Sequence, residues 1–420
     1  MDGFWNVKQA PVKEAPMLGL TGMGGGAASF MWAGAASGSG SLYAWGANYY
    51  GFSGFNNVYP SGRRSSPTQV GTDTTWRYPF SYRSAHAVKW DGTAWAWGRA
   101  DNGILGLNAP ETDHKSSPTQ IGTDTTWNFL GNWQYGGWGL KTDGTIWSWG
   151  YGPSGALGQN QGNLSVSSPM QIGTDTNWTS FRQGHEGTSF ATKTDGTLWV
   201  WGKGPSGRLG LNNNAAKSSP TQLPGTWAQG FNSIAAGNTG CLGIKADGSL
   251  WSWGYGSSGC LGMNEPGQSW SSPRQVGTDT NWRSVHMQLS GPGSRSTHAT
   301  KTDGTLWGMG SNTYGNLGLN TSKISNSNRR NVSSPTQVGT DTTWMSTSYG
   351  MQEKGGTFWT KTDGSLWFLG GLQENQGIAG ANVSGPWMRS SPVLIGQGSF
   401  YRAAAGPYGG FAISGKNVED

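Results

Sequence analysis

The sequence predicts an all-β protein: a single seven-bladed β-propeller of four-stranded antiparallel blades, its ring closed by an N-terminal strand at 41–46 that joins the C-terminal blade. Three observations predict it. A Trp-Gly pair or a near relative ends at Gly46, Gly98, Gly150, Gly202, Gly254, Gly310 and Gly370, with four spacings of 52 residues and then 56 and 60. A period so long and regular is one supersecondary unit copied along the chain. The 420 residues include 72 Gly and 25 Trp with only 12% charged residues, and the mean hydropathy is -0.53, a turn-rich and aromatic-rich composition typical of β proteins. Finally, each full unit carries Asp-Gly between two short apolar runs, a strong hairpin signal.

The copy from Ser167 to Gly210 reads SSPMQIGTDTNWTSFRQGHEGTSFATKTDGTLWVWGKGPSGRLG. Ser167, Ser168 and Pro169 open a short strand, because proline lacks a donor and belongs at a strand's first residue. Gly173 to Thr176 turn the chain, with Asp175 bonding the backbone locally. Trp178 begins a second strand, and Ser189 to Thr194 form a third. A two-residue Asp195-Gly196 turn then folds Leu198 to Trp201 back on it, setting Thr192 opposite Trp199 and Lys193 opposite Leu198. Both faces of this ribbon are bulky, so both must be covered. Seven such units cover one another only as a closed ring, since an open stack would expose its end faces.

The strand census predicts how the ring closes. The first Trp-Gly strand, Ser41 to Gly46, precedes every Ser-Ser-Pro strand, whereas the last blade stops after Phe411 to Ser414. These two strands are therefore expected to pair, completing the seventh blade from the chain ends. Phe30 to Ala36 resembles an extra strand that competes for Ser41 to Gly46. The chain thus reads as an arm at 1–26 and a propeller at 27–420.

The motif GxLGxN after the fourth strand, at Gly155 to Asn160, Gly207 to Asn212, Gly259 to Asn264 and Gly315 to Asn320, joins KTDGTLWxWG in a pattern that resembles the regulator of chromosome condensation repeat family. That resemblance covers roughly residues 41–414 and implies seven-bladed propellers. The wording SSPxQVGTDTxW followed by KTDGTLW resembles bacterial and bacteriophage members in particular. It implies a non-enzymatic virion structural protein, a phage tail-fibre or capsid-attached propeller for surface recognition, located in the virion after synthesis in a host cytoplasm. The alternative is a cellular protein–protein or nucleic-acid interaction scaffold, and a polysaccharide-active enzyme comes last.

Composition narrows the chemistry. No apolar run reaches the length of a membrane span, and Met1 to Pro16 lack the basic start and apolar core of a signal peptide. Cys241 and Cys260 are too few for a disulfide framework and read as small buried groups. The net charge of +6 is a thin field over 420 residues, which argues against nucleic acid. Six hairpin aspartates (Asp91, Asp143, Asp195, Asp247, Asp303, Asp363) and five turn aspartates (Asp73, Asp124, Asp175, Asp279, Asp341) account for half of the 22 acidic residues. Groups repeated around a ring do not form one asymmetric catalytic constellation. The five histidines, His86, His114, His185, His286 and His298, lack metal-ligand spacing, so no catalytic residue, metal or cofactor is assigned.

Candidate binding residues lie where the period breaks. Trp133, Tyr135 and Trp138 occupy a loop where other copies have small residues, and aromatic rings on a loop suit a glycan or partner. Arg63, Arg64, Lys115, Lys217, Arg329, Arg330 and Arg389 precede Ser-Ser-Pro strands and fall by symmetry on one basic rim, suited to a host surface polysaccharide or another acidic surface. The arm's apolar groups, Phe4, Trp5, Leu18 and Leu20, cannot build a core alone and are expected to attach to other virion proteins.

Overall fold

The computed structural model describes residues 39–58, 62–184, 186–238, 240–288, 295–313, 315–320, 331–345, 356–372, 387–396, 400–406 and 409–416. The arm with Phe4, Trp5, Leu18 and Leu20, the competing strand at 30–36, His185, and Arg329 with Arg330 lie outside the described residues. The propeller falls within Trp32–Asp420.

Seven antiparallel sheets are present, six with four strands and one with three among the described residues. In one complete blade, Trp178–Gln183, Thr188–Lys193, Leu198–Gly202 and Lys217–Leu223 lie side by side in chain order. The Ser-Ser-Pro strand is therefore the last of its blade rather than the first, with Lys217 opposite Gly202. The GxLGxN connection returns the chain beside its own Trp-Gly strand, whereas the Gly-Thr-Asp-Thr turn carries it to the innermost strand of the next blade. As the outer edge, Lys217–Leu223 is mostly half-exposed, where proline costs no ladder hydrogen bond.

Ring closure follows the expected pairing. Ser39–Gly46 runs antiparallel to Gly409–Lys416, with Ser41 opposite Ser414 and Ala44 opposite Phe411. The closing blade also takes Arg64–Gln69 outside and Phe400–Gly406 inside, so each chain end supplies two strands instead of the expected one and three. That split follows directly from the outer placement of the Ser-Ser-Pro strand.

The Asp-Gly hairpin differs by one residue from expectation. Gly196 has φ +79° and donates to the Lys193 carbonyl at 3.0 Å, while Lys193 donates to the Thr197 carbonyl at 3.0 Å. Three residues, Thr194 to Gly196, thus form the loop, and Ala191 stands opposite Trp199 with Thr192 opposite Leu198. A turn followed by one left-handed glycine matches strand twist in the same way as a two-residue turn. Asp195 fixes it by accepting from the Thr197 amide at 2.9 Å and hydroxyl at 2.7 Å.

Apolar clusters fill the junction between every pair of neighbouring blades, including the one across the chain ends, where Trp45 packs on Phe358 with ring centres 5.1 Å apart. The Trp-x-Trp strands divide two tasks. The second indole, buried at Trp97, Trp149, Trp201 and Trp253, donates Nε1 to a carbonyl of the preceding blade at 2.8–3.2 Å. The GxLGxN loop adds a backbone staple: Asn212, in the left-handed region, donates its amide to the Ser271 carbonyl of the next blade at 2.7 Å. Glycine is required beside it, since a Cβ on Gly207 would lie 2.4 Å from Ser271 Cα.

Candidate functional site

Antiparallel blades put the Asp-Gly hairpins and the Gly-Thr-Asp-Thr turns at one end of the ring. The other two kinds of connection fall at the opposite end. The first end is nearly identical from blade to blade; the second collects the departures from the repeat.

At the regular end, a lysine at the end of the second strand in six of the seven blades reaches back over two indoles. Lys193 Nζ lies 4.6 Å from the Trp178 ring and 4.2 Å from the Trp199 ring, and 2.9 Å from Asp175 Oδ2. Lys89, Lys301 and Lys361 repeat this with Asp73, Asp279 and Asp341 at 2.6, 2.8 and 2.7 Å, and Lys141 does so with Asp124. The first indole of each Trp-x-Trp pair is tied to the hairpin, as in Trp199, whose Nε1 donates to Thr197 Oγ1 at 2.9 Å. Burial raises the Asp124 carboxyl, but its bonds to Lys141 and Thr126 outweigh this and leave it at about 2. The turn aspartates were expected only to shape their turns; the lysine partners were missed. Their one signal is the lysine two residues before each hairpin Asp.

The variable end holds the described members of the aromatic and basic candidate sets. Trp133 and Trp138 are fully buried. Trp138 packs among Phe80, Phe129 and Phe181, and room for its ring comes from Gly131, where a Cβ would come within 2.2 Å. Trp133 clusters with Tyr82 and Ala156, and the half-buried Tyr135 meets it edge-on at 5.5 Å. Two of the three rings therefore have no open face as they stand, because the small residues sit on the neighbouring strands and let the rings turn inward. Only Tyr135 keeps solvent contact.

Of the basic rim, Arg63 is exposed, and Arg64 donates to the Arg63 carbonyl at 3.0 Å while standing 5.1 Å from the Phe55 ring. Lys115 is held by Asp113 at 2.8 Å, Lys217 is half-buried, and the Arg389 backbone pairs opposite Gly370. The equivalent positions in three other blades are Val166, Trp270 and Val332. The cations thus form an interrupted arc. Sequence reading missed Glu186, which accepts from Lys203 at 2.7 Å and Arg208 at 3.1 Å. Burial raises its carboxyl, and these two cations lower it further than burial raises it.

Toward the ring axis, Phe129 and Phe231 stack with centres 4.0 Å apart although a whole blade separates theirs. Arg182 donates Nε to the Phe231 carbonyl at 2.6 Å, and Arg77 and Arg402 lie 4.6 and 5.2 Å from the Tyr78 ring. Side chains therefore fill the axis at this level. Among the described residues no group of three or more His, Cys, Asp or Glu could hold a metal ion, and no helix is long and apolar enough to cross a membrane. Cys241 and Cys260 are buried, which pushes both thiols up, Cys260 to about 12, far from a reactive thiolate.

Residues 195–244, 247–290 and 303–350 match the Regulator of chromosome condensation (RCC1) repeat. The human E3 ubiquitin-protein ligase HERC2 is 28% identical over 227 residues, 51% of this chain and 5% of that protein. The Ultraviolet-B receptor UVR8 of Arabidopsis thaliana is 26% identical over 189 residues, 43% of this chain and 40% of that one. The chain therefore spans well under half the length of these relatives. In solved structures, yeast RCC1 (Prp20) bound to Kap60 superposes with a TM-score of 0.76 at 16% identity, covering 97% of both chains. Human WBSCR16 gives 0.72 at 16% identity, covering 90% of this chain and 100% of that one.

These matches correct the functional expectation. The relatives are cellular and eukaryotic, so the phage tail-fibre role, the virion partners, the surface polysaccharide and the virion location are overturned. The motif wording that suggested a phage is fixed by turn geometry and blade stapling, so it reports the fold and not the source. The residues and the blade topology establish a seven-bladed propeller, three stretches of which match the RCC1 repeat.

Proposed function

We propose that this propeller is a cellular interaction scaffold, non-enzymatic, that receives a protein partner on its variable end. One observation carries the reading: one end repeats the same hairpin and turn in nearly every blade, while departures gather at the other. Glu186 with Lys203 and Arg208, the partly exposed Tyr135, and the exposed Arg63 all fall there. The long connections containing 321–330 and 373–386 join strands at the same end. Variation on one face of a repeat array is the pattern of a partner surface on a rigid frame. The reading is supported by structurally similar proteins that bind other proteins: Prp20p, which binds Gsp1p and histones, and yeast RCC1, which binds Kap60. The chain boundary of the scaffold is taken at residue 27, with 1–26 a separate arm.

Proximity labelling in cells tests it, comparing the full chain with a variant whose 321–330 connection is shortened to the length found after Gly155. Loss of a defined set of neighbours, with the thermal melt unchanged, is the expected result. An unchanged neighbour set with the shortened chain, or capture of DNA fragments in place of proteins, overturns it.

A further inference from the structure

At the regular end one blade breaks the lysine pattern. Lys245 occupies the position of Lys89, Lys141, Lys193, Lys301 and Lys361, yet its blade has Pro224, Gly225 and Thr226 where the others have the five residues of Gly-Thr-Asp-Thr and its follower. The deletion removes the aspartate. No ion pair is present at Lys245 among the described residues, while each of the five equivalents holds one. The hairpin aspartate does not replace it: Asp247 feels Lys245 just as Asp195 feels Lys193 and Asp303 feels Lys301.

The ammonium has responded to the loss. Lys245 Nζ stands 3.5 Å from the Trp251 ring and 5.8 Å from the Trp227 ring, against 3.9–4.2 Å and 4.6–4.9 Å in the other five blades. A cation without a carboxylate moves onto the nearest π face. Pro224, Gly225 and Thr226 beside it are exposed, and Lys245 and Trp251 are half-buried. A side chain in place of the Gly225 hydrogen would fill the notch, with its Cβ 3.6 Å from Lys245 Cε and 3.4 Å from Trp227 Nε1.

We propose that the notch of Lys245, Gly225, Trp227 and Trp251 is a docking site for a carboxylate supplied in trans, an Asp or Glu side chain of an acidic protein segment. In the five sister clusters the lysine, lying over its two indoles, holds a carboxylate oxygen within hydrogen-bond distance. Here no carboxylate of the described residues takes that place, and one from another chain would complete it. A charge-assisted bond with the cation held between rings supplies both attraction and register. This contact is at the end opposite the variable surface and stands whatever that surface binds.

Amine acylation followed by mass spectrometry tests it on the full chain, with a soluble Asp-Gly repeat peptide as the probe. Lys245 is expected to react several-fold faster than Lys193 and Lys301, and the peptide to slow it to their rate. Replacing Pro224-Gly225-Thr226 with Gly-Thr-Asp-Thr-Thr, which restores an internal aspartate, should abolish both the fast reaction and the peptide's effect. Equal reactivity of Lys245 and Lys193, or a Lys245 rate unmoved by the peptide, overturns the proposal. Equal protection by inorganic phosphate also overturns it, making the notch a general anion site.

Discussion

Asp175 Oδ2 lies 2.9 Å from Lys193 Nζ: Asp175 sits in the turn that leads into the blade and Lys193 ends the blade's second strand, and they meet because that turn and the Asp195 hairpin share one end of the ring. Asp175 is 54% exposed and Lys193 only 10%, so the pair is lopsided. An ion pair this open contributes little by itself, roughly 0.5 kcal/mol. The lysine stem between Trp178 and Trp199 contributes more, through buried methylenes and the ring contacts. Lys193→Ala is therefore expected to cost about 1–2 kcal/mol and Asp175→Ala less than about 1 kcal/mol. Urea denaturation of both single variants and the double variant checks this, and a coupling above about 1.5 kcal/mol would contradict the solvent-screened picture.

Trp97 is fully buried and donates Nε1 to the Phe52 carbonyl of the preceding blade at 2.9 Å. Trp97→Ala should cost about 3–5 kcal/mol through lost burial and the cavity left behind. Trp97→Phe keeps most of the apolar volume yet removes the buried bond to the Phe52 carbonyl, a loss of about 1–3 kcal/mol. Trp95→Phe, at the half-buried neighbour whose indole bonds Thr93 within its own hairpin, should cost less than Trp97→Phe. Thermal melts of the three variants rank them, and an inverted order would refute the division of labour within the Trp-x-Trp strand.

The period, the hairpins and the closure were legible because each is a local rule repeated until chance is excluded. The blade boundary was not, since Ser-Ser-Pro reads as an opening strand and only spatial pairing with Leu198–Gly202 shows that it ends a blade. Register slipped by one residue at Asp195-Gly196 because two- and three-residue loops share the same dipeptide. The candidate site was less legible. Trp133 and Trp138 read as loop rings open to either a partner or local packing, and glycines on adjacent strands, visible only after folding, decide for packing by making room for them inside. Lys245 was invisible for a different reason: its distinction is a missing aspartate in the turn before the adjacent strand.

Removal of 39–46 should abolish cooperative folding. Leu42 and Ala44 fill the cluster toward the next blade, and Trp45 fills the one toward the last blade, so the deletion opens both junctions at once. Gly409–Lys416 would also lose its partner along its length. The expected outcome is a broad, probe-dependent denaturation curve in place of a single transition, partly restored by adding the peptide 39–46 in excess. A sharp native-like melt of the truncated chain would refute closure by this strand.

Acid should destabilise the ring earlier than its carboxylates do. His86 and His298 are both fully buried, and burial lowers their imidazoles to about 3 and about 4, although the nearby carbonyl of Ile104, and those of Asn316 and Leu317, pull the other way. In the unfolded chain each titrates near 6.5. Between those values the unfolded state binds protons that the folded state refuses, so stability rises with pH across the interval. Their contribution is complete above about pH 6.5 and falls steadily as the pH drops toward 4. Lowered carboxyls such as Asp124, at about 2, work in the same direction but begin only below about pH 4. Urea midpoints measured at pH 7.5, 6, 5 and 4.5 should therefore decline before carboxylate protonation begins. His86→Gln, which can retain a donor to the Ile104 carbonyl now 3.2 Å from the ring, should lower stability at pH 7.5 yet flatten that decline. A variant curve parallel to the parent's would show that His86 does not carry the dependence.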